Sequence, residues 1–360
     1  MNLLFIAPFV TAVILTLAPS AIAPSVLAQT PPSSISNLVR QGRAAFARRD
    51  FNGAILAYRE ALALDPKNVQ IYVSLGFLYT QQLSYQEAVT VLAEAIQLDR
   101  RNVRALIAMG YAQAQLNNFP AAQAAYTQVL AIAPNNLEAL QSLAYVQVKQ
   151  NDPVGAIATY RRLLAIDPRE VKTYLSLGYL LQQQRNYSQA LSIYKQAQRL
   201  SPNQPDLIYA IGNLYQAQGQ VTQAIASYRQ VLRINPSHSQ ANLSIGQILE
   251  QQGDWDGAIA AYRVSASRNP RNADIQRAIA KAYLEKNQLI DAIIAYRQVI
   301  VLEPQDPVAH HALGLSLVQQ NRIAEALQSL QTAERLYFQQ RNETTAAEVR
   351  KVIADLRAKG

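Results

Sequence analysis

Apolar side chains recur along the chain at spacings of three and four residues, the periodicity of helices with one buried face. Residues 171–204 show the pattern clearly. The first such face contains Tyr174, Leu177, Gly178 and Leu181, and the second contains Ala190, Tyr194 and Ala197. Arg185-Asn186 interrupts the pattern between the two faces. The segment therefore predicts two helices joined by a short turn.

The same two-helix pattern recurs every 34 residues from residue 35 onward. We number the positions of each repeat as stations 1 to 34, the first repeat beginning at residue 35. Station 20 is always alanine, and station 24 is tyrosine except at Leu92 and Leu330. Station 8 is glycine except at Ala144 and Ala280, and station 32 is proline in seven repeats, with Arg100 and Phe338 in the other two. A fixed period of this length indicates an array of stacked repeats.

The small residues indicate close helix contact within each repeat. Glycine at station 8 and alanine at station 20 leave no bulk between the two helices, so we expect the ring at station 24 to wedge against neighbouring helices. Asn68, Asn136 and Asn272 are expected to cap first helices, and Asp152 and Asp254 to cap second helices. Ser84 with Glu87 is expected to form a capping box.

The series Tyr72-x-x-Leu75-Gly76-x-x-Tyr79, followed by Ala88, Leu92 and Ala95, resembles a tetratricopeptide repeat. Tyr174 to Pro202 and Ile208 to Pro236 carry the resemblance more clearly, and it covers residues 35–340 as nine repeats. The resemblance implies an all-α fold, a right-handed α-α superhelix or solenoid, in which the first helix of each repeat lines a concave groove. Residues 35–68 depart furthest, as suits a terminal repeat with one face in water.

The last segment, 341–360, predicts a C-terminal capping helix. Val349, Val352, Ile353 and Leu356 form one apolar stripe, which we expect to cover the exposed core of the last repeat. Thr345 with Glu348 is expected to be its capping box.

The first segment has the character of an export signal. Residues 1–28 contain an apolar run and end in Val26-Leu27-Ala28, a small-x-Ala site, and residues 29–34 resemble a flexible mature N-terminus. No Lys or Arg precedes the apolar run, and the first cationic side chain is Arg40. That order is typical of a reversed membrane anchor. We expect export to the periplasm or an equivalent lumen, with a membrane-anchored cytoplasmic protein as the alternative.

Composition argues against an enzyme. Of 360 residues, none is Cys and three are His, which excludes thiol nucleophiles and Cys-ligated metals and leaves little imidazole chemistry. No phosphate-binding, dinucleotide-binding or zinc-protease motif occurs. We expect no catalytic residue, no metal and no cofactor. The net charge of +9 is not gathered into a stripe typical of nucleic-acid binding.

Two recurring surface features are candidates for binding. Arg59, Arg161, Lys195, Arg229, Arg263 and Arg297 follow station 24 and could dock an acidic surface, although a solvated outer face is the favoured interpretation. The second feature is an apolar and aromatic series at stations 5 and 9. Its residues are Val73, Phe77, Ile107, Tyr111, Tyr145, Leu175, Tyr179 and Tyr209. Gln141 interrupts it, and from Asn213 onward station 9 turns polar.

These observations predict a non-enzymatic scaffold or assembly factor. We expect the apolar and aromatic series to hold an extended or helical segment of another protein in the groove. The alternative that the rings only pack between first helices stays open. So does a carbohydrate-binding scaffold in polysaccharide export, because aromatic rings also stack on sugars. A membrane is expected to be contacted only through an uncleaved N-terminal segment.

Overall fold

The computed structural model describes residues 35–359, which form nineteen α-helices and no strand within that range. The expected export signal, 1–28, and flexible N-terminus, 29–34, lie outside the described residues. The helices group into two compact units, the first ending at Asn186 and the second beginning at Tyr187.

The first unit contains four helical hairpins and one further helix. Its helices are α1 (Ile35–Ala47), α2 (Phe51–Leu64), α3 (Val69–Gln81), α4 (Tyr85–Leu98), α5 (Val103–Gln115), α6 (Phe119–Ile132), α7 (Leu137–Lys149), α8 (Pro153–Ile166) and α9 (Val171–Gln183).

The second unit continues the alternation and adds one helix at the C-terminus. Its helices are α10 (Tyr187–Leu200), α11 (Pro205–Ala217), α12 (Val221–Ile234), α13 (Ser239–Gln251), α14 (Trp255–Arg268), α15 (Ala273–Glu285), α16 (Leu289–Leu302), α17 (Pro307–Gln319), α18 (Ile323–Gln339) and α19 (Glu343–Lys359).

Each described repeat begins its helices at the same stations. First helices start at station 1 and second helices at station 17, which confirms the two-helix prediction. Asn68, Asn136 and Asn272 accept hydrogen bonds from backbone N–H groups in the first turn of their helices, as expected. Asp152 and Asp254 cap second helices in the same way. The expectation for Ser84 is wrong, because its side chain makes no capping hydrogen bond.

Station 15, between the two helices of a repeat, adopts a left-handed backbone in all nine repeats. The residue after it donates its N–H back to the last turn of the first helix, as from Ser84 to the Tyr79 carbonyl at 2.9 Å. This is the Schellman arrangement that ends many helices. Glycine occupies the station only at Gly219 and Gly253, while Leu83 and Arg49 adopt it despite their side chains. Asparagine, which also tolerates this backbone, occupies the station in four repeats, so only at the remaining positions, such as Leu83, does local residue preference fail to explain the turn.

The interior follows the predicted small-and-large pattern. All nine alanines at station 20 are 0% exposed, and every tyrosine at station 24 is buried. In repeat 6 the Tyr228 ring lies against the glycine at station 8, so a Cβ on Gly212 would come 2.6 Å from that ring. Glycine at station 8 thus permits the close approach that the sequence predicted.

The C-terminal helix covers the last repeat. Val349 and Ile353 of α19 are buried against Leu330 and Tyr337 of α18, which confirms the predicted capping role. The expected Thr345 capping box is wrong. The N-terminal cap is Asn342, whose side-chain oxygen accepts a hydrogen bond from the Thr345 N–H at 3.2 Å.

Candidate binding groove on the first helices

The first helices of the first unit pack against one another as well as against their own second helices. α3 contacts α5, and α5 contacts α7, whereas α2, α4, α6 and α8 make no comparable contact among themselves in the described segment. Helices that meet directly lie on the inner side of a curved stack. The inner face of the first unit is therefore formed by first helices, where stations 5 and 9 place the predicted series.

The four rings at station 9 form what we call the aromatic strip: Phe77, Tyr111, Tyr145 and Tyr179. All four are half-buried, so each ring keeps an exposed part. The Phe77 ring meets that of Phe46 edge-on, with centroids 5.6 Å apart, and Tyr111 meets Tyr85 edge-on at 6.2 Å. These contacts brace one side of the Phe77 ring and one side of the Tyr111 ring.

The other residues of the predicted series differ in how much of each side chain is exposed. Ile107 and Leu175 are half-buried, whereas Val73 is only 8% exposed and belongs to the hydrophobic core. The Lys149 ammonium lies 5.5 Å from the centre of the Tyr145 ring, a cation–π contact one helical turn away. Tyr179 makes no ring contact with another described residue of the first unit. The strip thus combines fixed rings with a partly exposed apolar surface.

Tyr209, the last residue of the series, lies in the second unit and is held by several partners. Its ring centroid is 5.4 Å from that of Tyr228 and 5.2 Å from the His238 ring. Its hydroxyl is 3.1 Å from the Ser244 hydroxyl. Tyr209 is thus fixed by packing within its own unit.

A second set of tyrosine contacts was missed by the sequence analysis. In four repeats the hydroxyl of the buried tyrosine at station 24 lies close to the serine at station 6 of the next repeat, sixteen residues later, and interacts with it electrostatically. The pairs are Tyr58 with Ser74, Tyr126 with Ser142, Tyr160 with Ser176, and Tyr228 with Ser244. Where station 24 is Leu92, the corresponding residue is Ala108. Alanine also lies sixteen residues after Tyr194, Tyr262 and Tyr296, so the sequence carries no consistent signal for these contacts.

Burial raises the pKa of each of these tyrosines above its usual value of about 10. The hydroxyls therefore stay protonated, and that of Tyr228 donates hydrogen bonds to Asn213 Oδ1 and Gln216 Oε1, each at 2.7 Å. Glu138, on α7 of the first unit, is half-buried, and desolvation also raises the pKa of its carboxyl.

In the second unit the equivalent stations carry paired charges. The Lys281 ammonium lies 2.6 Å from a Glu250 oxygen, and the other Glu250 oxygen accepts a hydrogen bond from the Tyr262 hydroxyl at 2.6 Å. Arg277 donates to Asp306 at 2.7 Å and to Glu303 at 2.7 Å. The charged inner stations of repeat 8, Arg277 and Lys281, are thus occupied by internal ion pairs, in contrast to the aromatic strip.

Comparison with known families agrees with the helical arrangement. Models of the tetratricopeptide repeat match residues 209–273, residues 115–177, and residues 69–102 and 171–204. A model described as TPR repeat matches residues 42–82 and 280–320. The chain belongs to the tetratricopeptide repeat family. Proteins of this family bind protein partners, and the fold is typically that of a scaffold without enzymatic activity.

A solved structure with a TM-score above 0.5 shows the same fold. The C-terminal part of a TPR repeat-containing protein from Cytophaga hutchinsonii is 16% identical and aligns with a TM-score of 0.55 over 67% of this chain and 99% of that one. A tetratricopeptide repeat protein from Parabacteroides merdae is 18% identical, with a TM-score of 0.49 over 69% of this chain and 98% of that one. No curated protein matches the chain. Among the described helices, none is long and apolar enough to cross a membrane.

Proposed function

We propose that this tetratricopeptide repeat protein is an envelope scaffold that holds an extended or helical segment of another protein against its aromatic strip. The observation that carries the proposal is the state of the four rings in the first unit. They line the inner face in consecutive repeats, and each keeps part of its surface exposed. A partner would bury that surface, and burial of apolar area is the main favourable term in association.

The inner face also carries charged groups that would orient a bound protein segment. Tyr111 and Tyr145 expose apolar ring surface, while Glu138, Lys149 and Lys172 place charges beside the strip on α7 and α9. Fixed rings that need little ordering on binding favour affinity, because less side-chain entropy is lost. Charges at the border favour one direction and register of the bound segment.

The spacing of the repeats predicts the pattern of the partner. Stacked helices lie about 10 Å apart, an extended strand advances about 3.3 Å per residue, and a helix about 1.5 Å. An extended segment would therefore meet one ring at about every third residue, and a helical segment at about every seventh.

A two-part screen tests the groove. Displayed peptide libraries with an apolar residue at every third or every seventh position are selected on the full-length chain, and the best binder is remade with a photo-reactive group. Cross-links to α3, α5, α7 and α9 are expected. Cross-links confined to other helices would overturn the proposed groove, and so would binding on a glycan array with no selected peptide.

The cellular compartment is a separate part of the proposal. It is supported by the apolar run and the small-x-Ala site at Val26-Leu27-Ala28. Mass spectrometry of the native protein tests it: a mature chain beginning at Gln29 is expected after export. An intact Met1 would contradict cleavage and favour the anchored form.

A further inference from the structure

A group of basic side chains lies on the exposed faces of α10, α12 and α14, the first three second helices of the second unit. We call it the basic row; it occupies stations 25 and 29 and consists of Lys195, Arg199, Arg229, Arg233 and Arg263. All five side chains are exposed. None forms an ion pair or a hydrogen bond with another described residue.

The three helices carry almost nothing that would neutralise this charge. α10 and α12 contain no Asp or Glu, and the one acidic residue of α14, Asp256, is bound by the Lys286 ammonium. Lys195 with Arg199, and Arg229 with Arg233, are like charges four residues apart, an arrangement that destabilises a helix. No acidic side chain on α10 or α12 offsets this repulsion.

The next two helices of the same unit show the opposite arrangement. Every cation of α15 and α16 is paired: Arg277 with Asp306, Lys281 with Glu250, and Arg297 with Glu325 at 2.6 Å. Arg297 occupies station 25, the same station as Arg263. The same basic station is thus neutralised in repeat 8 and left unpaired in repeats 5 to 7.

The local surface leaves the basic groups accessible. Station 22, one helical turn before station 25, holds the small exposed residues Ser192, Ala226 and Ala260. Four of the five cations are arginines, whose forked donors match a carboxylate in two parallel hydrogen bonds.

Spacing restricts the geometry of an acidic partner. Stacked helices lie about 10 Å apart, and the second helices, which do not pack on one another, lie slightly further apart. Seven or eight residues of an α-helix span about 10.5 to 12 Å. An acidic helix that crosses α10, α12 and α14 would therefore present one carboxylate to each of them if acidic residues recur every seven or eight positions.

We infer that the basic row is a second docking surface, separate from the aromatic strip, for an acidic helical segment of another protein. The sequence alone favours a solvated outer face at these stations. The absence of internal partners in repeats 5 to 7, beside complete pairing in α15 and α16, favours a surface kept free for an external anion.

The test uses a dye-labelled helical peptide of about 22 residues with glutamates at heptad spacing, and the same peptide with glutamine as control. Binding to the full-length chain is measured by fluorescence anisotropy at low and at high salt. The variant is Arg229→Gln with Arg233→Gln. The matched control is Lys351→Gln with Arg357→Gln, which removes the same charge from exposed positions of α19.

We expect the glutamate peptide to bind, the glutamine peptide not to bind, and added salt to weaken binding. The row variant should lose roughly tenfold in affinity and the control variant less than twofold, with unchanged melting curves for both. Tyr111→Ala with Tyr145→Ala should leave this binding intact, which separates the basic row from the proposed groove.

Three results would overturn the inference. Equal losses in the row and control variants would show an effect of net charge alone. Failure of the glutamate peptide to bind would remove the acidic helix as occupant. Row-dependent binding of anionic vesicles or of an oligonucleotide, with no binding of the peptide, would assign the surface to a different class of partner.

Discussion

The ring of Tyr126 lies directly against Gly110, at a distance that leaves no room for a side chain on the glycine. A Cβ atom on Gly110 would come 2.7 Å from Cε1 of Tyr126, closer than two carbon atoms can pack. The glycine belongs to α5 and the tyrosine to α6, so the contact sets the distance between the two helices of the hairpin.

Gly110→Ala is predicted to destabilise the hairpin. Overpacking costs about 1–3 kcal/mol, and the higher helix propensity of alanine offsets about 1 kcal/mol of that cost. We therefore expect the free energy of unfolding to fall by roughly 1 kcal/mol. Because stacked repeats can open locally, the change is best measured by amide hydrogen exchange in α5 and α6.

The same substitution in a Tyr126→Ala background is the control. With the ring removed, Gly110→Ala should stabilise by about 0.5–1 kcal/mol, since only the backbone effect of the glycine remains. An equal cost in both backgrounds would show that the ring contact does not determine the choice of glycine.

The contact between the Tyr126 and Ser142 hydroxyls gives a second prediction. Ser142 is 8% exposed, and its hydroxyl joins the second helix of one repeat to the first helix of the next. Ser142→Ala should cost about 1 kcal/mol, because the buried phenol loses its partner. Ala108→Ser, opposite Leu92, should bring no comparable gain. Identical urea midpoints for Ser142→Ala and the wild type would contradict the pairing.

Leu83 gives a prediction in the opposite direction. Its backbone is left-handed, with φ 61°, and its side chain is 71% exposed. A left-handed conformation costs roughly 1–2 kcal/mol for a residue with a bulky side chain, and less for asparagine. Leu83→Asn should therefore raise the free energy of unfolding by about 1 kcal/mol. The reverse change at the equivalent station, Asn117→Leu, should lower it by a similar amount.

His238 makes the stability of the second unit depend on pH. Its Nδ1 accepts a hydrogen bond from the Ala241 N–H at 3.1 Å, which caps α13 and requires the neutral ring. Burial lowers the pKa of His238, against the opposing charge of Asp206. The contribution is thus complete above the unfolded pKa of about 6.5 and is lost as the pH falls through the lower folded pKa.

His238→Asn should keep the cap, as Asn272 does, and remove this part of the pH dependence. Urea unfolding at about pH 7.5 and pH 5 should show a loss of roughly 1 kcal/mol for the wild type relative to the variant. His311, whose pKa burial also lowers, is present in both proteins and cancels. The same pH dependence in both would refute the role of His238.

The repeat pattern predicted most of the fold because stations 8, 20 and 24 each have one packing role. It did not predict two kinds of feature, the helix caps and the left-handed turns. Ser84 and Thr345 are good capping residues, yet the Ser84 side chain makes no capping hydrogen bond, and Asn342 instead of Thr345 caps α19. Leu83 itself gives no local signal of its left-handed turn, which glycine or asparagine marks at six of the equivalent stations.

The candidate groove is harder to predict than the fold. The sequence pattern places Val73 and Phe77 alike on the apolar face of a first helix. In the structure Val73 lies in the core, whereas Phe77 is half-exposed. Exposure at stations 5 and 9 depends on how closely neighbouring first helices approach, which periodicity within one helix does not encode.

The most direct test of the proposed scaffold compares two double variants for binding of the peptide selected on the full-length chain. Tyr111→Ala with Tyr145→Ala should abolish binding and leave the melting curve nearly unchanged, because both rings are half-exposed. Tyr111→Phe with Tyr145→Phe keeps the rings and should bind within about threefold of the wild type, since the apolar surface is retained. Wild-type affinity in the alanine variant would contradict a groove built on the aromatic strip.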